Sequence, residues 1–362
     1  MYEEDKFDLP EDSYSPYFKD WDNALKQNKS PKFLEVEDIE GIFEEYLEES
    51  DIDSFRASVK YALAFHPNNE ELIIDIMAYM EELSLWKDLY NFAIQYDDIE
   101  DAIYPRTSRL KALLHMGLEE DAFGYFQELK KIYSERGELS MIYVAMSEAL
   151  NSMRLNDAAI KVIKEATSKV GDFLYLNWIE LRAYADINDK ENALALADRM
   201  EKKMSLSYEC WEDLAIIFLD LEEYERAIES MEYAKTLGAK SLDLYTALIE
   251  CYTKNNNPLK ALEIAKECIE IYPDTLEVIP IAIVIAIQIE AWDEVFMLID
   301  KIIGIEPSEE IYLCKSDVFI KFGEYKKAIQ TLQEGLIALE GDNESIKKQL
   351  AELTSQYPDL VD

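Results

Sequence analysis

Residues 208–236 read YECWEDLAIIFLDLEEYERAIESMEYAKT and decide the fold. Their apolar residues recur every three to four positions, which predicts two amphipathic helices joined just before Tyr224. The small residue Ala227 of the second helix recurs along the chain at steps of 33 to 37 residues, at Phe55, Leu89, Ala122, Ala159, Ala193, Ala261, Val295 and Ala328. A period near 34 built from helix pairs predicts a solenoid, in which neighbouring units stack into one continuous core.

A linear stack also suits the length of the chain, which has 362 residues. A single compact core stops growing at about 250–300 residues, whereas a stack of repeats has no such limit. The longest apolar run, VIPIAIVIAIQIEAW at Val278–Trp292, is shorter than the roughly 20 residues that span a bilayer. Taken alone, the Ile-x-Ile alternation of this run would suggest a β-strand. Its position in the repeat instead predicts the first helix of the eighth unit.

The chain is strongly acidic, with 36 Lys and Arg against 76 Asp and Glu and a net charge of -40. Such a surface repels phosphate, so neither nucleic acid nor an anionic membrane is an expected partner. Half of the net charge lies in residues 1–102. The opening MYEEDKFDLPEDSYSP has neither a basic start nor an apolar segment, so we see no secretory signal and expect a cytoplasmic protein.

The potential metal and redox ligands are few. The four cysteines (Cys210, Cys251, Cys268 and Cys314) form no C-x-x-C pair, and the histidines are His66 and His115. Neither a disulfide framework nor a zinc site is indicated. The repeat register places Cys251 and Cys268 inward as small buried hydrophobic residues, with a redox role as the alternative.

The repeat itself has a recognisable residue pattern. In the unit that begins at Tyr208, Trp211, Leu214, Ala215 and Phe218 precede Ala227, Met231 and Ala234, and the next unit shows Tyr245, Leu248, Tyr252, Ala261, Ala265, Cys268 and Pro273. These spacings resemble the tetratricopeptide repeat over roughly residues 36–341. The resemblance implies an all-α fold: an α-solenoid, wound as a right-handed superhelix, of about nine helix pairs with a C-terminal capping helix.

One step of the repeat is longer than the others. It runs 37 residues from Ala122 to Ala159 and contains the segment YSERG at Tyr133–Gly137. We expect a longer loop there or a local change in superhelical twist.

The flanks predict three further regions. Residues 1–16 are an acidic arm, residues 17–35 hold an amphipathic leader helix and a linker, and residues 342–362 hold the capping helix and a tail. The leader carries Phe18, Trp21 and Leu25, and it is followed by the acidic segment Glu35–Ile39. This order resembles a group of bacterial tetratricopeptide-repeat proteins, a likeness that implies no defined biochemical activity.

Motifs for chemistry are missing. The sequence has no glycine-rich phosphate loop, no G-x-S-x-G and no H-E-x-x-H, so we expect neither catalysis nor a cofactor nor a bound metal. Acidic residues crowd two segments, one with Asp51 and Asp53 and the other with Asp97, Asp98, Glu100 and Asp101. Neither has the turn glycine and closing glutamate of an EF-hand. We interpret both as solvated loops, with weak calcium binding as the alternative.

The resemblance also implies a concave groove, lined by positions 2, 5, 9, 12 and 13 of the first helix of each unit. The acidic residues at these positions are Glu37, Glu40, Glu44, Glu71, Glu148, Glu209, Glu212, Asp220, Asp243, Glu250, Glu277 and Asp317, and the basic ones are Lys111, Arg182, Lys254 and Lys321. Position 9 carries no asparagine, which argues against a clamp for a chaperone C-terminal tail. An acidic groove predicts a basic partner.

Apolar residues in the groove are candidate anchors for that partner, unless neighbouring helices, the long loop or the terminal cap cover them. They are Met141, Tyr175 and Trp178 midway and Ile281, Val284, Ile287 and Leu313 towards the C terminus. The predicted partner-binding set is Glu148, Tyr175, Trp178, Arg182, Glu209, Glu212, Asp243, Glu250, Ile281, Val284, Leu313 and Asp317.

The sequence therefore predicts a non-enzymatic scaffold that binds a protein or peptide with basic flanks and apolar anchors across units four to nine. One alternative is self-association through the acidic arm or the leader helix, which exposed aromatic residues favour. The charge of -40 opposes it, so a monomer is expected in preference to a stable homo-oligomer. A second alternative is an enzyme with an unrecognised site among Glu209, Glu212 and Asp213.

Overall fold

The computed structural model describes residues 16–97, 103–203, 207–339 and 341–360. Across these residues the chain forms helices and no β-strand, which confirms the all-α prediction. The α-helices are α1 (Phe18–Lys26), α2 (Val36–Glu48), α3 (Ile52–Phe65), α4 (Glu70–Glu82), α5 (Trp86–Ala93), α6 (Ile103–His115), α7 (Glu119–Ile132), α8 (Arg136–Ser152), α9 (Asn156–Val170), α10 (Leu174–Asp186), α11 (Lys190–Glu201), α12 (Tyr208–Asp220), α13 (Tyr224–Thr236), α14 (Leu242–Lys254), α15 (Pro258–Ile271), α16 (Val278–Gln288), α17 (Trp292–Ile305), α18 (Glu309–Lys321), α19 (Tyr325–Ala338) and α20 (Glu344–Gln356). Two 3₁₀ turns lie at Ile94–Tyr96 and Pro358–Leu360. None of the helices within the described residues has the length and apolarity to cross a membrane.

Helices α2 to α19 form nine consecutive pairs, in which the even-numbered member is helix A and the odd-numbered member is helix B. In every pair the recurring anchor residue found in the sequence is the fourth residue of helix B, and all nine anchors are 0% exposed. Six of the nine are alanine, which lets two helix axes approach closely. The predicted helix-pair repeat is therefore confirmed, including a helix and not a strand at Val278–Gln288.

The turn from helix A to helix B has one geometry in all nine pairs. Five residues before the buried anchor, the backbone adopts the left-handed conformation at Ser50, Ser84, Gly117, Arg154, Asn188, Glu222, Asn256, Glu290 and Gly323. The next N–H then donates to a carbonyl five residues earlier, as from Glu223 to Phe218 and from Asn257 to Tyr252, both at 2.8 Å. This is the Schellman motif, which ends a helix by satisfying its last carbonyls.

The expected longer loop between Ala122 and Ala159 is wrong. Helix α7 ends at Ile132 and α8 begins at Arg136, so three residues connect them. The extra residues lengthen α8 to 17 residues, compared with 13 in α10 and in α12. The connection is held because Tyr133 is 9% exposed and its hydroxyl accepts a hydrogen bond from Arg106 at 2.6 Å.

The chain divides into two compact units, one up to Leu196 and one from Ala197 onwards, with the division inside α11. In the first unit the leader helix α1 packs against α2 and α3. Phe18 and Trp21 are 6% and 2% exposed, and the indole N–H of Trp21 donates to the Ser58 hydroxyl at 2.8 Å. The expectation that these aromatic residues are exposed for self-association is wrong. Residues 1–15 of the predicted acidic arm lie outside the described residues.

A lysine, a glutamate and a tyrosine tie adjacent repeats together at equivalent positions in both units. In the second unit, Glu267 of α15 accepts hydrogen bonds from Lys235 of α13 and from the Tyr245 hydroxyl of α14, both at 2.8 Å. Lys130, Glu165 and Tyr143 make the same arrangement in the first unit. Burial opposes ionisation of Glu267, but the two donated hydrogen bonds and the charges of Lys235 and Lys260 together outweigh it and lower the pKa of the carboxyl group.

The last helix, α20, docks on α18 and α19. Its N terminus is capped by Glu309, whose carboxylate accepts from the backbone N–H groups of Ser345 at 2.7 Å and Ile346 at 3.0 Å. Gly335 of α19 makes room at this junction, because a Cβ there would lie 2.8 Å from Cγ of Tyr312.

Candidate protein interface

Four helices of the second unit present their groove positions to solvent. These residues, which we call the helix-A face, are Glu209, Glu212, Ile216, Leu219 and Asp220 of α12; Asp243, Thr246, Glu250, Thr253 and Lys254 of α14; Glu277, Pro280, Val284, Ile287 and Gln288 along α16; and Glu310, Leu313, Asp317, Ile320 and Lys321 of α18. Every one of them is exposed or half-exposed.

Helix α16 gives this face an uncharged centre. Its residues, VIPIAIVIAIQ, include no charged side chain, and the inward-facing Ile279 and Ile285 are 0% and 3% exposed. On the outer side Val284 is 65% exposed and Ile281 is 43% exposed. A helix that is apolar all round is ordinarily buried on every side, so its exposed side is a candidate contact surface.

Carboxylates border the apolar centre on both sides. Asp243 and Glu250 lie on α14, and Glu310 and Asp317 lie on α18, where all four are exposed. The side-chain amide of Gln349 of α20 donates to Asp317. Leu313 packs partly against the cluster that includes residues of α20, so the terminal helix covers part of this edge.

Two depressions flank α16. The first has a volume of about 430 Å³ and is lined by Thr246, Ala247, Ile249, Glu250, Thr253 and Lys254 of α14 with Ile281 of α16. The second, of about 480 Å³, is lined by Ile287, Trp292, Glu310, Leu313, Cys314, Asp317, Val318 and Lys321. The sequence did not reveal these depressions, because they depend on side chains of adjacent helices and on Trp292 at the start of a helix B.

Two acidic residues of α12 accept hydrogen bonds from nearby serine hydroxyl groups. Glu212 accepts a hydrogen bond at 3.1 Å from the hydroxyl of Ser241, the N-cap residue of α14. The Ser207 hydroxyl donates to Glu209 and lowers the pKa of its carboxyl group. Burial, followed by the nearby charge of Glu209, raises the pKa of Asp213. The carboxylates of α12 therefore form a run of charges at the border of the face.

Two of the predicted site residues of the first unit, Glu148 and Tyr175, belong to one network of charges and hydrogen bonds. Lys111 of α6 pairs with Glu81 of α4 at 3.0 Å and with Glu148 of α8 at 3.1 Å. The Tyr175 hydroxyl donates to the same Glu148, and this hydrogen bond raises the pKa of Tyr175 to about 12. The charge of Glu148 is therefore already compensated. Trp178 is half-buried, and Arg182 lies 3.7 Å from Asp186.

The most acidic part of the first unit contains two carboxyl groups, Glu40 and Asp75, whose pairing was not predicted from the sequence. Burial and a hydrogen bond with Asp75 of α4 raise the pKa of Glu40 of α2 to about 7, and Glu71 and Glu37 add to the effect. Asp75 lies four residues after Glu71, one turn along the same helix, and this spacing was the available sequence signal that the acidic cluster includes Asp75.

The cysteines and acidic residues considered above as redox or metal ligands have structural roles where the structure describes them. Cys251 and Cys268 are both 0% exposed, and burial raises the pKa of each thiol to about 11, which confirms them as buried hydrophobic residues. Asp51 caps α3 by accepting from Ser54, and Asp97 pairs with Arg106 and Arg109. Asp98, Glu100 and Asp101 lie outside the described residues. The described residues contain no group of three or more side chains placed to hold a metal.

The family model described as PPR repeat matches residues 243–271, which span helices α14 and α15. The chain carries a PPR/TPR-type repeat. This repeat borders the apolar centre of the helix-A face, and its helix α14 forms one wall of the first depression. No curated protein matches the sequence.

Solved structures with PPR/TPR-type helix pairs include a tetratricopeptide repeat protein from Parabacteroides merdae, with 13% identity, a TM-score of 0.41 and coverage of 75% of this chain and 98% of that one. A structure of MamA AMB-1 has 13% identity and a TM-score of 0.36, covering 47% and 99%. The APC/C hetero-tetramer Cut9–Hcn1 has 11% identity and a TM-score of 0.37, covering 93% and 68%.

Proposed function

We propose that this protein is a non-enzymatic scaffold, and that the helix-A face of its second unit binds a protein segment with apolar anchors and basic flanks. The exposed, uncharged side of α16 between two acidic helices carries this proposal. An exposed apolar strip in a chain of net charge -40 has a solubility cost that binding to a partner would offset.

The border charges favour a basic protein over nucleic acid. PPR repeats in general read single-stranded RNA, one base per repeat. On this face, however, RNA phosphates would meet Asp243, Glu250, Glu310 and Asp317. Those charges repel phosphate and attract lysine and arginine, so they steer the encounter with a basic segment.

The apolar centre and the acidic rim of the face have different expected roles in binding. Apolar side chains at the centre of an interface supply most of the binding energy, and charges at its rim mainly set association rate and salt dependence. Val284 and Ile287 of the helix-A face occupy the centre here, with Ile281 of the same helix α16 beside them. We therefore expect substitutions at these residues to change dissociation and substitutions at the acidic rim to change salt sensitivity.

The test is a pull-down from native lysate over a salt series, with partners identified by mass spectrometry. The face variant is Asp243→Lys with Glu250→Lys. The matched control is Glu225→Lys with Glu270→Lys, which makes the same charge change at exposed positions of helices α13 and α15. We expect a basic protein to bind the wild type and the control but not the face variant, and to dissociate with salt. Equal capture by all three proteins, or no capture, would refute the proposal.

A further inference from the structure

We propose that the segment bound by the helix-A face is an amphipathic α-helix that places apolar side chains seven residues apart in the two depressions beside α16. This inference rests on the proposed function and specifies the form of the partner. Three properties of the face support it: the spacing of the depressions, the supply of hydrogen-bond donors and the arrangement of charge.

The depressions are related by the repeat. The first lies between α14 and α16 and the second between α16 and α18, so one helix separates them. The two depressions are therefore about one helix diameter apart, roughly 10–12 Å with side chains. A partner helix rises about 10.5 Å in seven residues and returns to nearly the same side, so residues i and i+7 fit both depressions at once.

An extended peptide is a poorer fit, because its backbone carbonyls need donors from the protein. Near the centre of the face, the hydroxyl groups of Thr246 and Thr253 donate to carbonyls of their own helix, at 2.9 and 2.7 Å. Lys321 lies over the Trp292 ring, 4.1 Å from its centroid. Lys254 and Gln288 supply donors only at the edge, at the C-terminal ends of their helices. A helix satisfies its own backbone and makes no such demand.

The charge pattern selects the composition of that helix. Position 2 contributes one acidic row, Asp243, Glu277 and Glu310, and position 9 contributes Glu250 and Asp317 on either side of Val284. A helix that crosses between the two rows has carboxylates along both of its sides. Lysines or arginines on both flanks of its apolar stripe would pair with them.

The experiment measures binding of fluorescein-labelled synthetic peptides of about three heptads to the full chain at about 0.15 M salt. The first peptide has leucines seven residues apart, flanking lysines and alanine elsewhere. The second has the same composition with the leucines scattered around the helix. The third is the first peptide with a central proline, which breaks the helix.

We expect the first peptide to bind, and the second and third to bind at least tenfold more weakly. Val284→Gln is expected to weaken binding of the first peptide, whereas the control Leu259→Gln should not, because Leu259 is a comparably exposed residue on α15, 71% against 65% for Val284.

The outcomes separate the two proposals. If all three peptides bind equally and all are lost in the variant with Asp243→Lys and Glu250→Lys, the surface binds a basic segment but does not require a helix, and this inference is overturned. If no peptide binds, or if neither the charge reversal nor Val284→Gln changes binding, the proposed function fails with it.

Discussion

Replacing Glu222 and Glu290 by glycine is expected to stabilise this protein. Both residues occupy the left-handed position of a helix A to helix B turn, each with φ of 59°. A side chain in that conformation costs about 1–2 kcal/mol. Glycine removes this cost but adds about 0.4–1 kcal/mol of unfolded-chain entropy. The net gain in the free energy of unfolding is about 0.5–1 kcal/mol per site.

The assay is urea unfolding of the full chain followed by circular dichroism at the helix band. The double variant should move the midpoint to higher urea and raise the free energy of unfolding by about 1–2 kcal/mol above the glutamine controls, because the sites lie in separate turns and their effects add. Each glutamate also sits at the negative end of a helix, where removing its charge helps by about 0.3–1 kcal/mol. The control variants Glu222→Gln and Glu290→Gln measure that electrostatic part alone.

The reverse substitution completes the test. Gly323 has φ of 72° and no heavy atom within 4 Å of a built Cβ, so Gly323→Ala adds conformational strain without a clash. It should lower the free energy of unfolding by about 1 kcal/mol. Glycine variants no more stable than the glutamine controls would show that the left-handed conformation carries no strain at these two sites.

Three further predictions concern other contacts. Gly335→Ala should lower the free energy of unfolding by about 1–3 kcal/mol, measured by urea titration, because its Cβ would lie 2.8 Å from Cγ of Tyr312; an unchanged midpoint would contradict this. Glu267→Gln should lower the free energy of unfolding at pH 7. Because folding lowers the pKa of Glu267, the difference in stability between wild type and variant should shrink as the pH falls through about 4.5 and vanish below the folded-state pKa. A stability difference that does not change with pH would contradict this. His115 stacks on Trp86 with ring centroids 3.7 Å apart, and its pKa is lowered mainly by burial. As the pH falls, protonation of His115 should quench the fluorescence of Trp86, measured as the difference between the wild type and Trp86→Phe, with a midpoint below pH 6.5. The variant His115→Phe should abolish that transition.

The period of the sequence was enough to predict the fold, because the anchor residues are small where two helices must approach. Phe55, Leu89 and Val295 break that rule in size but keep their place, and all three are 0% exposed. The same period resolved helix α16, whose local alternation favours a strand. Register over nine units carries more information than any single window.

The candidate interface was less accessible from sequence. Position in the repeat correctly indicates which side of helix A faces solvent for Val284, but it cannot show that Glu148 is already paired with Lys111 across a neighbouring helix. Such pairing depends on how closely successive helices A pack, which side-chain sizes in several repeats determine together. The leader helix shows the same limit, because Trp21 looked exposed until its partner Ser58 was placed.

The uniform turn has a consequence for how a chain of this kind changes in length. A segment that starts at one left-handed turn residue and stops before the next, such as residues 222–255, begins and ends at equivalent backbone conformations. Copying or deleting such a segment leaves both junctions with a turn the chain already uses. Unequal recombination can therefore add or remove whole helix pairs without inventing a new joint, and the repeat number becomes a quantity that evolution adjusts in single steps.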